Sequence, residues 1–347
     1  MKKIVTILIL CMSQIANAQP IKITVPFAVG GAFDVVSRMY AKFAEKEINK
    51  DFMIENVVGA GGIIGTKHHL KSSPNNLMIT SSSFYSHIIR EDFKLNEFMP
   101  VSIIAEAPLF LLVNKSKNLT CEKLRVPNIK YSIGSNGKDS ITSVPANFVI
   151  EKYPNVLEIP YKGMSQAAMD LLGNHIDAMF ISGFGLYRPE FDILATTAKK
   201  PFDKIMTLKD CLGIEKTVQT QWLVFASPGS SEDFIRQINL LTIKFVNDKE
   251  TRMYFKDNGM LSTAGPLSTV SRELTNELED WTNRLSEDDL KYYLETVCNR
   301  GNIDISSLPI SESMDIDRLN AIYKRFTYIK QNIIKVPIKD SRGNIRY

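Results

Sequence analysis

Cysteine and histidine are scarce in this sequence, and their spacing excludes several kinds of site. Four residues of each type occur among 347. The histidines, at positions 68, 69, 87 and 175, form no His-x-x-x-His pair on a helix, and no cysteine cluster has the spacing of zinc ligands. We therefore expect no metal site and no cofactor.

A long apolar run is also lacking, which argues against a membrane-spanning helix. The stretch Ile4–Met12 is about half of the roughly 20 residues that such a helix needs, and no later stretch comes nearer. It follows two lysines and precedes Ala16-Asn17-Ala18, which is the pattern of a secretory signal peptide. We predict a signal peptide over residues 1–18, cleavage after Ala18 and a periplasmic mature protein.

The cysteines raise two questions of processing and pairing. A lipoprotein anchor at Cys11 is disfavoured, because Leu10 stands where the lipoprotein signal needs a small residue. Cys121, Cys211 and Cys298 remain after processing, and three widely spaced residues exclude a disulfide scaffold. An oxidising compartment permits one bridge, but the sequence does not say which pair. We expect three separate buried thiols.

Charge of either sign is not in large excess. Lys and Arg number 42 against 38 Asp and Glu, a net charge of +4, and loss of the two leader lysines lowers it to about +2. Such a mild balance does not indicate a nucleic-acid partner. The content of 44% hydrophobic and 23% charged residues is that of a globular protein. A mature chain of roughly 330 residues is long enough for two packed domains, and we expect a monomer.

Enzyme motifs are present only in incomplete form. The segment Gly163–Ala167 lacks the last glycine of a nucleophile elbow. Gly59 and Gly61 begin a dinucleotide fingerprint, but Ile64 occupies the place of its third glycine. We therefore predict a protein that is not an enzyme and has no catalytic residues, with an exported enzyme as the lesser alternative.

Short apolar strands alternate with amphipathic helices along the chain. This order predicts an α/β architecture with mostly parallel sheets. The predicted strands are Ile21–Val25, Leu77–Thr80, Val101–Val113, Lys130–Ile133, Val156–Ile159, Ile176–Ile181, Ile193–Thr197 and Trp222–Ala226. The predicted helices are Asp34–Ile48, Ser143–Lys152, Ser165–Leu172 and one that begins after Ser230 as its N-cap.

Glycine-rich loops follow the first strand, at Pro26–Asp34, and a second strand that ends before Asn56, at Asn56–Gly65. Ligands of open α/β sheets lie outside the carboxyl ends of the strands. Glycine lets backbone N–H groups approach a ligand closely, and a helix N-terminus adds partial positive charge. These loops predict a small anion as the ligand. The alternative is a pair of tight turns, with Asp34 as an ordinary N-cap.

Five motifs resemble, in order and spacing, the receptors of the tripartite tricarboxylate transporter family. They are Pro26–Asp34, Glu55–Thr66, Phe98–Ser102, Ile159–Gly163 and Asp170–Phe180. The similarity continues through the segment around Trp222 and the Asn258-Gly259 pair, and it covers roughly residues 20 to 285.

The resemblance implies a two-lobed periplasmic-binding-protein fold of the Venus-flytrap, type II class. Lobe 1 would comprise residues 19–113 and 222–285, and lobe 2 residues 114–221. Residues 286–347 would form a helical C-terminal extension and a basic tail. Such a receptor binds a small di- or tricarboxylate and presents it to the membrane permease subunits of a transporter.

The resemblance also implies which residues hold the ligand. Serine hydroxyls and backbone amides bind a carboxylate without a full counter-charge. The expected ligand-binding residues are Phe27, Ala28, Gly30, Gly31, Asp34, Ser81, Ser82, Ser83, Ser135, Asn136, Tyr161, Lys162, Gly163 and Ser182. For Tyr161 and Lys162 the alternative is a strand end with a lysine that extends to solvent.

Two departures from the family pattern affect the pocket. Ile181 stands where many relatives carry an acidic residue, and the segment Phe184–Asp192 is shorter than usual. An ammonium group would find no acidic partner at Ile181, so we expect a plain carboxylate rather than an amino acid. Lys138 lies in a loop that is usually rich in small residues, where it either adds charge to the site or faces solvent.

The C-terminal region is a further departure. It contains predicted helical segments at Ser286–Val297 and Asp315–Ile333, the second with an apolar stripe, and a basic tail at Lys335–Tyr347. We expect the stripe to pack on lobe 1, with docking on another protein as the alternative. The alternative function is a flytrap-fold binding or scaffold protein outside transport, such as a sensor's partner or an assembly component.

Overall fold

The computed structural model describes residues 19–90, 92–126, 128–138, 140–183, 187–283, 338–339 and 345–346. The predicted signal peptide and the predicted C-terminal helices lie outside these ranges, as does most of the basic tail. Within them, no helix is both long enough and apolar enough to cross a membrane.

A ten-stranded sheet forms the centre of the described structure. Its strands are β1 Ile21–Val25, β2 Phe52–Asn56, β3 Leu77–Thr80, β4 Met99–Asn114, β5 Tyr131–Ser135, β6 Val156–Pro160, β7 Ala178–Ser182, β8 Phe191–Thr196, β9 Gln219–Ala226 and β10 Leu261–Ser262. The order is β2-β1-β3-β9-β4-β7-β5-β6, and β8 and β10 also pair with β4. The short strands β11 (Ile338–Lys339) and β12 (Ile345–Arg346) form a separate antiparallel pair.

The sheet is mixed, so the expectation of mostly parallel sheets is wrong. β1 runs parallel to β2 and β3, and β5 runs parallel to β6 and β7, as βαβ crossovers require. Every described pairing of β4 and β9 is antiparallel. The physical reason is that β4 carries the chain out of one half of the sheet and β9 brings it back, so the two run in opposite directions.

Ten α-helices of the described chain cover the sheet. They are α1 Ala32–Ile48, α2 Ile63–Leu70, α3 Ser83–Ile89, α4 Cys121–Leu124, α5 Ser143–Lys152, α6 Met164–Leu172, α7 Leu208–Leu212, α8 Glu232–Asn247, α9 Lys249–Asp257 and α10 Leu267–Asn283. The N-cap of α8 is Ser231, whose hydroxyl accepts from the Phe234 amide at 3.2 Å, and not Ser230 as predicted. Ser230 instead accepts from the amide of Asn75 at 2.8 Å, a distant contact that local sequence does not reveal.

Two lobes meet along β4. We call lobe 1 the part built on β1–β3 with α1–α3 and α8, and lobe 2 the part built on β5–β8 with α4–α7. Residues Met99–Pro108 of β4 pair with β9, whereas Leu109–Asn114 pair with β7 and β8. In lobe 1, α1 and α8 bury Tyr40 and Phe245 against each other, with ring centroids 5.2 Å apart. The domain boundaries near residues 113 and 221 stay predictions.

A disulfide joins Cys121 on α4 to Cys211 on α7, with their Cα atoms 5.0 Å apart. The expectation of three separate thiols is therefore wrong for these two residues, while Cys298 lies outside the described chain. The partners are 90 residues apart in sequence. Their apposition depends on how two short helices pack in lobe 2, which the spacing of cysteines does not encode.

Candidate ligand-binding site

A cavity of about 50 Å³ lies between the two lobes. A single buried water needs about 10–15 Å³, so the cavity admits a few waters or one small organic molecule. Its lining residues are Pro26, Phe27, Ala28, Gly31, Ala32, Phe33, Gly59, Gly61, Gly62, Asn136, Ile141, Thr142, Lys162, Gly163, Met164, Ser165, Ile181 and Ser182. Loops that follow β1, β2, β5 and β6 thus meet the carboxyl end of β7 at one place.

Four helices begin at this cavity. Their N-caps are Gly31 for α1, Gly62 for α2, Thr142 for α5 and Gly163 for α6, and all four residues line the cavity. None of these N-caps makes a side-chain hydrogen bond to its own helix. The positive ends of four helix dipoles therefore lie around one small volume, an arrangement that favours an anion.

The contributions of α2 and α5 differ from those of α1 and α6. In α2, the first two amides, at Ile63 and Ile64, donate to the carbonyls of Ala60 and Gly59. This helix therefore acts on a ligand through its dipole more than through free N–H groups.

The helix α5 is alike in this respect. Its first two amides, at Ser143 and Val144, already donate to the carbonyl of Ser140 at 3.0 and 3.3 Å. Thr142 also accepts from the amide of Asn136 at 2.9 Å, which fixes the neighbouring loop of lobe 2.

The charge of the lining agrees with that of the helix ends. None of the described residues that line the cavity is acidic, and Lys162 is basic. Neutral hydrogen-bonding groups come from Asn136, Thr142, Ser165 and Ser182. A carboxylate would meet donors and positive potential here, whereas an ammonium group would meet no counter-charge.

One wall of the cavity is apolar. Phe27 and Phe33 pack with ring centroids 4.6 Å apart, and Phe33 stacks on the buried Trp222, also at 4.6 Å. Met164 and Ile181 lie on the lobe 2 side and are almost fully buried. This wall suits the hydrocarbon part of an organic acid, because it removes apolar surface from water.

Half of the expected ligand-binding residues line the cavity. These are Phe27, Ala28, Gly31, Asn136, Lys162, Gly163 and Ser182. The other seven lie behind it and contact the loops that form it, as described next.

Asp34 and Gly30 brace the loop after β1 from behind. The Asp34 carboxylate accepts from the Gly30 amide, from Arg38 Nε and from Asn56 Nδ2, each at 2.9 Å. Asn56 also donates to the carbonyl of Phe27 at 3.0 Å. Burial alone would raise the pKa of Asp34, but the hydrogen bonds from Arg38, Gly30 and Asn56 outweigh it and hold the pKa below its ordinary value. The carboxylate therefore stays charged and holds the loop, while Gly31 is the N-cap.

The serines after β3 lie behind the glycine loop of α2. The hydroxyls of Ser81 and Ser83 are 2.5 Å apart, and Ser83 donates to the carbonyl of Gly61 at 3.4 Å. Ser82 accepts from the amide of Gln221 on β9 at 2.8 Å. These three side chains are buried, and none of them lines the cavity. Through its bond to Gly61, Ser83 supports a residue that does line the cavity.

Ser135 and Tyr161 turn into lobe 2. The Ser135 hydroxyl donates to Glu158 and accepts from the Gly137 amide. The Tyr161 hydroxyl donates to Asp170 on α6 at 2.7 Å, and burial together with this carboxylate raises the pKa of Tyr161 to about 12. Both side chains fix loop ends whose next residues reach the cavity.

Gly59, Gly61 and Gly62 line the cavity but were not among the expected ligand-binding residues. Their φ angles are positive, at 133°, 61° and 109°, a region that side-chain-bearing residues rarely adopt. A Cβ on Gly61 would lie 3.7 Å from Nε2 of the buried His87, so the loop passes directly over that ring. The loop Asn56–Gly65 that contains them was itself predicted to bind a small anion, because its glycines cluster just before a helix.

Thr142 and Ser165 are further lining residues that the sequence analysis missed. Each lies at the start of a helix that follows a strand of lobe 2. Because ligands of such folds sit at helix N-termini after strands, that position was the signal for both residues.

Comparison with known proteins agrees with this geometry. A family model described as tripartite tricarboxylate transporter family receptor matches residues 36–285. The chain is 24% identical to Protein BugT of Bordetella pertussis over 296 aligned residues. The alignment covers 78% of this chain and 89% of that protein.

Two solved structures share the fold at lower identity. MatC from Rhodopseudomonas palustris with bound malate is 19% identical, with a TM-score of 0.65, over 76% of this chain and 98% of that one. R. palustris Rpa4515 with adipate is also 19% identical, with a TM-score of 0.67, over 77% of this chain and 96% of that one. They confirm the two-lobed periplasmic-binding-protein fold. The family model matches well over half of the sequence. The chain therefore belongs to the tripartite tricarboxylate transporter receptors, a family of periplasmic solute-binding receptors.

Proposed function

We propose that this receptor binds one small carboxylate in the cleft between its lobes and delivers it to the membrane subunits of a transporter. The observation that carries the proposal is the convergence of four helix N-termini on a cavity whose described lining contains no acidic side chain. The proposed ligand-contacting residues are Phe27, Ala28, Gly31, Gly61, Gly62, Asn136, Thr142, Lys162, Gly163, Ser165 and Ser182. The remaining expected residues act as supports for these loops.

We also propose that the ligand lacks an amino group. Ile181 lines the cavity at 3% exposure and offers a bound ammonium only hydrocarbon. An unpaired charge in such a place is strongly disfavoured. The malate and adipate bound by the two R. palustris proteins are acids without an amino group, which fits this proposal.

Thermal unfolding of the mature protein with added acids tests the proposal. We expect malate, succinate, adipate or citrate to raise the melting temperature as concentration rises, since a ligand at a hundredfold excess over its Kd adds about 2.7 kcal/mol to stability. Aspartate and glutamate should raise it less at equal concentration. A larger shift with the amino acids would contradict the proposed selectivity.

The second candidate is a flytrap-fold binding protein that serves a sensor or an assembly and not transport. One observation favours it, namely that the chain continues beyond residue 285, where the family match ends. The two candidate functions predict different uptake of the acid by cells. Deletion of the receptor should abolish uptake of the acid that it binds, whereas unchanged uptake, or no thermal shift with any acid, would favour the scaffold.

A further inference from the structure

The two lobes approach each other closely where Ala28 faces Gly163. Ala28 lies in the loop after β1, Gly163 is the N-cap of α6, and both line the cavity. A Cβ added to Gly163 would lie 2.7 Å from the Cβ of Ala28. Carbon atoms in contact stand about 3.5–4.0 Å apart, so no side chain fits at position 163 while the lobes keep this arrangement.

Lobe 2 itself does not require glycine at this position. The backbone of Gly163 is extended, with φ −159° and ψ 145°, a conformation open to every residue. Apart from the residues next to Gly163 in the chain, the only described atoms within 4 Å of the added Cβ belong to Ala28. The constraint on residue 163 therefore comes from the opposite lobe.

A hydrogen bond crosses the cleft beside this contact. The hydroxyl of Ser165, in the first turn of α6, donates to the carbonyl of Val29 at 3.1 Å. Because Val29 follows Ala28 directly, the steric contact and the hydrogen bond join the same two segments. Together they bring the N-terminus of α6 up to the loop that precedes α1.

We propose that the absence of a side chain at Gly163, opposite Ala28, sets how far the receptor closes and is required for tight ligand binding. With glycine there, the N-terminus of α6 reaches the ligand together with that of α1. With a Cβ there, the lobes stop about 1 Å further apart. Hydrogen bonds to a ligand held by both lobes weaken steeply over that distance. The effect on affinity rests on the proposed binding of a carboxylate.

A reciprocal pair of substitutions tests the proposal, with malate as the probe in calorimetry. Gly163→Ala should raise the Kd at least tenfold. Ala28→Gly removes the opposing Cβ, so the double variant G163A/A28G should return to within about threefold of the wild type. Rescue from the other lobe is a result that damage confined to lobe 2 would not give. A double variant as weak as Gly163→Ala would overturn the proposal.

Gly173→Ala is the matched control. Gly173 ends the same helix with φ −76°, and the three atoms nearest to a Cβ added there, at 3.4–3.5 Å, belong to His175 and Met169. Both neighbours belong to lobe 2, so this substitution should leave the Kd for malate unchanged. An equal loss of affinity in Gly163→Ala and Gly173→Ala would contradict the proposal, because it would show that any added methyl group on α6 weakens binding.

A ligand-free measurement separates this inference from the proposed function. Spin labels on noncanonical residues at the exposed positions Leu240 and Met169 report the distance between the lobes. We expect a closed population in the wild type, at least a threefold smaller one in Gly163→Ala, and recovery in the double variant. If malate and adipate fail to bind while this pattern appears, the ligand class is wrong and the closure contact stands. Equal closed populations in all variants, or none in the wild type, would overturn the closure contact.

Discussion

At two places beside the cavity, neighbouring residues point in opposite directions. Ser135 and Tyr161 turn into lobe 2, whereas the residues that follow them, Asn136 and Lys162, line the cavity. Adjacent side chains of an extended segment point to opposite sides, so only one member of each pair can reach a ligand. The family motifs identify the loops from sequence, but they do not say which member of a pair faces inward.

The same limit applies to the charged and hydroxyl residues of lobe 1. Asp34 lies in a motif that resembles the family's, and the resemblance also implied the serines 81–83 as ligand-binding residues. Their side chains nevertheless bond to the backbone and to Arg38, Asn56 and Gln221. Residue type indicates that a group can bind an anion. Whether it binds the ligand or supports the loop depends on tertiary contacts with distant residues.

Two buried histidines make the stability of the protein dependent on pH. Burial lowers the pKa of His69 and of His87 to about 4, against about 6.5 in an unfolded chain. Between these values the unfolded chain binds protons that the folded chain does not, so stability falls as pH decreases from 6.5 towards 4. We expect a loss of about 3 kcal/mol per histidine at pH 4.

Urea unfolding at a series of pH values checks this dependence. His87→Gln should flatten the slope of stability against pH, even if the variant is less stable throughout. Ser86→Ala is the control, because this neighbouring buried residue of α3 carries no titratable side chain and its loss should leave the slope as it is. Equal slopes for the wild type and His87→Gln would contradict the assignment.

At the level of elements, the sequence predicted most of the strands and several helices. β1, β3 and α5 have the predicted bounds, since their apolar patterns stop at clear turn or cap residues. Helix α3 was not predicted, because all seven of its residues are buried and no polar face marks a helical period. The antiparallel pairing of β4 with β9 was missed, since it follows from the passage of the chain between lobes.

The disulfide between α4 and α7 is an element-scale feature with a measurable contribution to stability. It closes a loop of 90 residues, for which chain entropy predicts about 4–5 kcal/mol, and measured bridges commonly contribute 2–4. Replacing both Cys121 and Cys211 by alanine should therefore lower the free energy of unfolding by about 2–4 kcal/mol. Reductant should destabilise the wild type by a similar amount and leave the double variant unchanged; a wild type insensitive to reductant would contradict a structural bridge.

Across the whole molecule, the two lobes are joined through β4 and β9. The partners of β4 change between Pro108 and Leu109, which leads us to propose a crossing point near that pair, somewhat before the predicted residue 113. Motion about this point would open the cavity and separate Ala28 from Gly163. The sequence predicted the two-lobed fold through its ordered motifs, but the width of the closed cleft depends on contacts that only the assembled lobes show.

The central claim is that the cleft recognises carboxylate charge through the N-termini of four helices. Calorimetric titration of the mature protein with malate and with its neutral diamide tests this most directly, because the two molecules are similar in size and differ in charge. We predict saturable binding of one malate per protein and binding of the diamide at least a hundredfold weaker. Equal affinity for both molecules, or binding of the diamide alone, would contradict the claim.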